Sequence, residues 1–307
     1  MTTTYNRGVH KYSVFVVCWT VLLFIAGALV TSKDAALSVT DWPTSHGVMV
    51  PPFSSLQGGD LFEFSHRVFA GGLGVLTLVL AVVLWVKEKR PWLRRLGVIA
   101  VLGVIVQAIL GGQVVIRLLH YWLPVIHACF AQIVFGAVLS IAVFTSKWWV
   151  SERPQLEDTG SPSIRTIAML NAGVIYLQVI LGAGFRHKDI PIWPHMGGAL
   201  VVLGMVIWTA VALRKRFGAS RELSKARVLL HAIFGTQFLL GFGAYWSRLS
   251  TADAPQPMPV MVTLTVIHTV VGAILFAFSI LIVLICYRLV PRRGEVTVTS
   301  ARQVSIG

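Results

Sequence analysis

The chain has 307 residues, of which 56% are hydrophobic and 12% charged, and its mean hydropathy is +0.77. So apolar a composition excludes a water-soluble enzyme and reads as a polytopic membrane protein. The formal charge of +14 raises nucleic acid as a partner, but the basic residues punctuate hydrophobic runs and do not gather on one aqueous face among aromatics, which excludes that class.

Runs of about 20 apolar residues are long enough to cross a bilayer. Eight occur, over roughly 13–31, 64–86, 96–116, 123–146, 166–185, 192–213, 227–246 and 261–287. The first lacks a small-residue cleavage site and is read as a retained helix, not a removed signal peptide. It ends at Gly27-Ala28-Leu29-Val30-Thr31 and releases an outer loop, 32–62, containing Asp41-Trp42-Pro43 and Pro51-Pro52. Loops of that length are functional or disordered, and Trp42 and Phe53 suggest one lying on the membrane surface. The second helix opens with Glu63, His66 and Arg67. The third carries Gln107-Ala108-Ile109-Leu110-Gly111, and the fourth carries His127 in its first turns. The fifth and seventh repeat the Gln-x-x-Leu-Gly pattern at Gln178–Gly182 and Gln237–Gly241. The sixth and eighth carry His195 and His268. The tail after Arg293 is polar and is expected to be disordered.

Counted by loop, 20 of the 26 lysines and arginines fall on one side if the eight helices alternate. The bias places both termini in the cytoplasm, and adds attraction to anionic membrane lipid. Cys18, Cys129 and Cys286 lie apart within helices and read as core residues, with no disulfide or metal pattern.

The odd helices resemble one another, and so do the even ones. His66, His127, His195 and His268 sit near the outer ends of the even helices, with Ala70, Ala131, Ala199 and Gly272 four residues on. A duplicated four-helix unit accounts for this. Residues 1–146 form one half with the outer loop, 147–165 a cytoplasmic linker, 166–287 the second half and 288–307 a polar tail. Each half then offers two facing histidines, and the small residue one turn away leaves room for a flat macrocycle. One such histidine alone is as well explained by packing or proton relay, but four in equivalent places favour metal ligation. Haem iron suits two imidazoles from facing helices, whereas zinc wants about four close protein ligands. His231, on an odd helix, reads as structural or as an inner proton group, and His46 is the loop histidine worth testing. The repeated Gln-x-x-Leu-Gly is expected to serve close helix packing. Glu63 either caps the second helix or handles protons one turn from iron. Arg67 suits a propionate or phosphate contact.

With those residues assembled, Leu37-Ser38-Val39-Thr40-Asp41-Trp42-Pro43, Glu63-x-x-His66-Arg67 and the four even-helix histidines resemble the haem A synthase family over nearly the whole chain. The resemblance implies two pseudo-symmetric four-helix bundles in the cell membrane, the bacterial inner membrane. It implies a haem b cofactor on His195 and His268, with substrate haem O facing His66 and His127 beside Glu63 and Arg67. The implied reaction is stepwise oxidation of a haem methyl group to a formyl, giving haem A for terminal oxidase assembly. Haem O synthase is the neighbour implied by the pathway. Some members carry a cysteine pair in the first outer loop, and residues 32–62 contain no cysteine. The electron donor, the oxygen source and a homo-oligomeric state stay open, as does whether His66 and His127 bind iron at once. The competing reading is a bis-histidine cytochrome b that carries electrons from quinol. A transporter built from repeats would need helices broken at midplane, and these read as continuous.

Overall fold

The computed structural model describes residues 5–291. Among them, eight long apolar helices are each capable of crossing a membrane. They are α1 (Arg7–Ser32), α2 (Gly59–Lys87), α3 (Pro91–Ile116), α4 (Leu123–Thr145), α5 (Ile164–Arg186), α6 (Ile192–Phe217), α7 (Arg221–Ser250) and α8 (Pro259–Leu289). The protein is an all-helical, multi-pass membrane protein. The expectation for the tail largely concerns 292–307, outside the described residues.

Every expected span is present, and most are longer than the apolar run that signalled them. The difference lies in capping, which hydropathy does not register. Asn6 accepts a hydrogen bond from Val9 N at 3.1 Å and starts α1 six residues ahead of the apolar run. Ser163 and Ser220 cap α5 and α7 in the same way. Pro91 opens α3, where its missing N–H costs nothing. Several basic residues assigned to inner turns, such as Lys87 and Arg214 to Arg216, therefore lie in the last turns of helices, where cations suit the helix dipole. Gly59 to Phe62 are helical too, so the outer loop is shorter than 32–62 and Glu63 does not cap the start of α2; Asp60 is the first-turn acid.

In the first half, α1 and α3 each pack against both α2 and α4, which sets α2 and α4 on a diagonal. In the second half α5 and α7 pack in the same way against α6 and α8. The histidine-bearing helices are thus the diagonal pair of each bundle. Where the halves meet, α8 packs on α1 and α4, and α4 on α5. Arg186, at the end of α5, donates across this seam to Ala28 O at 3.1 Å and to Ser32 Oγ at 2.7 Å.

The dense cores are asymmetric along the helices. Leu80, Leu84, Leu93 and Ile141 in the first half, and Ile164, Leu213, Leu223 and Ile282 in the second, are fully buried. All lie toward the helix ends remote from the four histidines. Packing to interior density is concentrated there. Of the three cysteines, Cys129 and Cys286 are buried as expected, while Cys18 is exposed on the outer surface of α1, so the core reading fails for it.

Candidate haem sites

Each of the four histidines lies against a glycine of the helix before it. A β-carbon on Gly27, Gly111, Gly182 or Gly241 would stand 3.1, 3.1, 2.9 and 2.9 Å from Cε1 of His66, His127, His195 and His268 respectively. In all four the Nδ1 edge is the nearer to the glycine and Nε2 the farther. Three of these glycines close the Gln-x-x-Leu-Gly repeat, so its close packing seats imidazoles. The glutamines brace the same turns. Gln107 Nε2 donates to His127 O at 3.0 Å, and Gln178 Nε2 to His195 O at 2.8 Å. His268 Nδ1 lies 3.2 Å from Gln237 O. Sequence reasoning put the space for a macrocycle at the small residue four positions on. At Gly272 that space is taken instead by the Gln237 amide, 2.9 Å from where a β-carbon would stand.

His195 and His268 face each other with ring centroids 6.3 Å apart and planes at 88°. A spacing of this order admits one metal ion between the rings once His268 Nε2 turns from its contact with Gln237 Nε2 at 3.4 Å. In the first half His66 Nδ1 and His127 Nδ1 are buried without a hydrogen-bond partner. Among the described residues no three His, Cys, Asp or Glu side chains converge. That donor set fits haem, whose macrocycle supplies four ligands, and does not fit a closed zinc site.

Above His66 the outer loop is built around two side chains of α2. Glu63 is 4% exposed, and its Oε2 accepts from Val39 N at 3.0 Å. Its Oε1 accepts from Arg67 at 2.6 Å. Arg67 also donates to the carbonyls of Val39, Asp41 and Thr44 and to Ser45 Oγ. Its guanidinium is thus engaged with the loop, a role the spacing of Glu63 and Arg67 did not reveal. The Asp41 carboxylate takes hydrogen bonds from Thr44 Oγ1 and from the N–H groups of His46 and Gly47. The Thr44 and Gly47 bonds lead in holding it well below the usual carboxylate range. The Trp42 indole lies flush on α3 at Gly112, where a β-carbon would be 2.6 Å from Cδ2. Gly112 follows the glycine that seats His127, so the loop is anchored beside that imidazole.

Of the remaining histidines, His46 and His231 have polar partners of their own. His46 Nε2 is 3.0 Å from Asp60 Oδ2 on the surface. His231 Nδ1 lies 2.9 Å from Arg227 O within its own helix, in keeping with a structural role. His187, just past the end of α5, is pushed down to about 4 by burial and by the nearby Arg186 and His127.

A family profile described as cytochrome oxidase assembly protein, COX15-CtaA, matches residues 10–202. The chain belongs to this family. Named relatives include the heme A synthases of Listeria welshimeri and Listeria monocytogenes, each 30% identical over 204 and 200 residues. Those matches cover 61% of this chain and 62% of the relatives, so the chain spans less than two thirds of their length. The heme A synthase of Lysinibacillus sphaericus is 26% identical over 315 residues, covering 92% of this chain and 94% of the relative. The family profile takes in His66, His127 and His195, and the longer alignment extends through most of the remaining chain.

Proposed function

We propose that the protein is a haem A synthase of the cell membrane, oxidising a methyl group of haem O to a formyl. The observation that carries this reading is the pair of diagonal histidine sets, one of which is spaced for a single iron while the other has a carboxylate one turn away. The named relatives and the family support it. In this reading residues 166–287 hold haem b on His195 and His268. Residues 1–146 hold haem O at His66 and His127, the linker 147–165 joins them, and the two halves are related by pseudo-symmetry. Both termini face the cytoplasm, and the product serves terminal oxidase assembly.

Bound haem supplies one-electron redox chemistry between the pairs. The chain supplies the rest. Gly27, Gly111, Gly182 and Gly241 let the imidazoles sit close to the neighbouring helix with Nδ1 nearer it than Nε2, and the Gln237 amide, 3.4 Å from His268 Nε2, would yield that nitrogen to iron. Converting a methyl to a formyl moves protons with either oxygen source: with water, four protons and four electrons leave, the electrons to an acceptor outside the chain, whereas with dioxygen and a reductant protons are consumed. Both routes need a buried group that exchanges protons, and Glu63 is the carboxylate placed one helical turn from His66. Its Oε1 is shared with Arg67 and its Oε2 with Val39 N. Arg67 acts as a positioning residue, keeping Glu63 oriented and the loop closed over the site, which limits water entry.

The test is to express the protein in cells supplying haem O, purify it and identify its haems by pyridine haemochrome spectra and mass. Haem A beside haem b supports the synthase. Glu63→Gln keeps acceptors for Val39 N and Arg67 but leaves the guanidinium charge unpaired, so the fold is checked by haem b content, which should persist while haem A disappears. Haem b alone, with haem O present and unaltered, would replace this reading with the electron carrier.

A further inference from the structure

At the end of the molecule remote from the histidines, a groove of about 720 Å³ runs along the seam between the halves. Its walls include Trp92 from α3, Phe144 from α4, Met169 from α5 and Leu284 from α8. The rim carries Arg165 and Arg288. Trp92 and Phe144 meet edge-on at 4.9 Å, making one wall aromatic. Arg165 stacks on Tyr287 at 4.5 Å and donates to Tyr287 O at 3.1 Å, but its Nε is buried without a partner. An unmet buried donor on a cation is costly, and here it stands at the head of an apolar channel. Arg288 donates to the carbonyls of Trp149 and Ser151, so it adds positive charge while being held in place.

We propose that this groove binds one anionic phospholipid, with a phosphate oxygen accepting from Arg165 and an acyl chain lying along Trp92, Phe144, Met169 and Leu284. Charge and shape argue for this occupant. The groove is cationic only at its rim and apolar along its length, and its volume falls within the roughly 300–1,000 Å³ range of small-molecule sites. Basic pockets between spanning helices suit anionic headgroups. A quinol is the less fitting occupant. Tyr287 follows His268 by 19 residues on α8, which at about 1.5 Å per residue puts the groove about 28 Å from that imidazole. Nor does the tail suit it, because 292–307 carries Arg292, Arg293 and Arg302 against one Glu295, like charge facing like. A bound lipid would join α3 and α4 to α5 and α8 and so tie the halves together at the end opposite their haem sites.

The experiment uses the full chain purified in detergent, with native mass spectrometry and thermal unfolding in the presence of phosphatidylglycerol or phosphatidylcholine. Phosphatidylglycerol should be retained as one adduct per chain and should raise the unfolding temperature, and phosphatidylcholine should do neither. Arg165→Gln should weaken retention about five-fold, the effect of one basic residue on an anionic lipid. Because Arg165 also bonds Tyr287 O, Gln155→Glu is the companion variant. Gln155 is exposed at the rim, where its Nε2 donates to Arg153 O and Arg288 O; Gln155→Glu should weaken retention as much, while Gln155→Ala, which loses the same bonds and adds no charge, should retain the lipid. Equal retention of both lipids, unchanged retention in both Arg165→Gln and Gln155→Glu, or displacement of phosphatidylglycerol by a short-chain quinone would each overturn the proposal.

Discussion

At the scale of single residues, the site depends on what four glycines omit. A β-carbon at Gly182 or Gly241 would meet Cε1 of the facing histidine at 2.9 Å, closer than real contacts allow. The ring must then turn, and with it the nitrogen proposed as the iron ligand. Gly182→Ala and Gly241→Ala should each weaken haem b binding about ten-fold, as loss of ligand-orienting partners does. The haem-to-protein ratio after gel filtration and the low-spin absorbance would show it. Because alanine is the better helix former, unfolding temperature in the haem-free protein should hold or rise. Full haem content in both variants would mean that the rings have room to turn. The repeat of Gln-x-x-Leu-Gly was plain in the sequence, but its target was not. A glycine on one helix says that something comes close, and only the neighbouring helix says what.

At the scale of elements, the outer loop and the first turns of α2 form one unit. The Glu63–Arg67 pair is almost wholly buried, with side chains 5% and 16% exposed. Removing one partner strands the other charge, at about 3–5 kcal/mol. Arg67→Ala should therefore destabilise the protein by that order in chemical unfolding, and should open residues 39–45 to proteolysis. Arg67→Lys should restore the charge but not the loop, because one ammonium cannot reach acceptors on Val39, Asp41 and Thr44 together. The Asp41 turn predicts the acid response. Its carboxyl is held below the ordinary range, so its contribution is in place above about pH 4 and is lost only as pH falls further. The protection factors of the His46 and Gly47 amides, corrected for the base-catalysed intrinsic rate, should accordingly be unchanged from pH 8 to about pH 5. In Asp41→Ala exchange should be fast throughout. Rapid exchange of both amides in the unmodified chain at neutral pH would rule the turn out.

At the scale of the whole molecule, the charge bias and the seam make separate predictions. If both termini are cytoplasmic, as proposed from the charge bias, a fluorescent protein fused at either end should fluoresce, and alkaline phosphatase inserted near Asp253 should be active. The opposite pattern would invert the topology. Across the seam, Arg186 makes two bonds to α1. Arg186→Gln should cost about 1.5–3 kcal/mol, the range for hydrogen bonds from a charged group, measured as a lowered unfolding temperature with haem b still bound.

The sequence by itself determined the number of spanning helices, because crossing a bilayer needs about 20 apolar residues wherever they fall. It also singled out four histidines as candidates, since repetition at equal depth is visible along the chain. The tertiary structure decided the rest. Helix ends ran past the hydropathic runs because Asn6, Ser163 and Ser220 cap through side chains that hydropathy scores as merely polar. Arg67 turned to the loop because its carbonyl acceptors, at residues 39, 41 and 44, come to it only when the loop folds back over α2. The 6.3 Å between His195 and His268 arises from helices 73 residues apart in sequence that meet across a diagonal. Periodicity reports which face of a helix is special; the distance between two such faces is set by the packing of α5 and α7 between them.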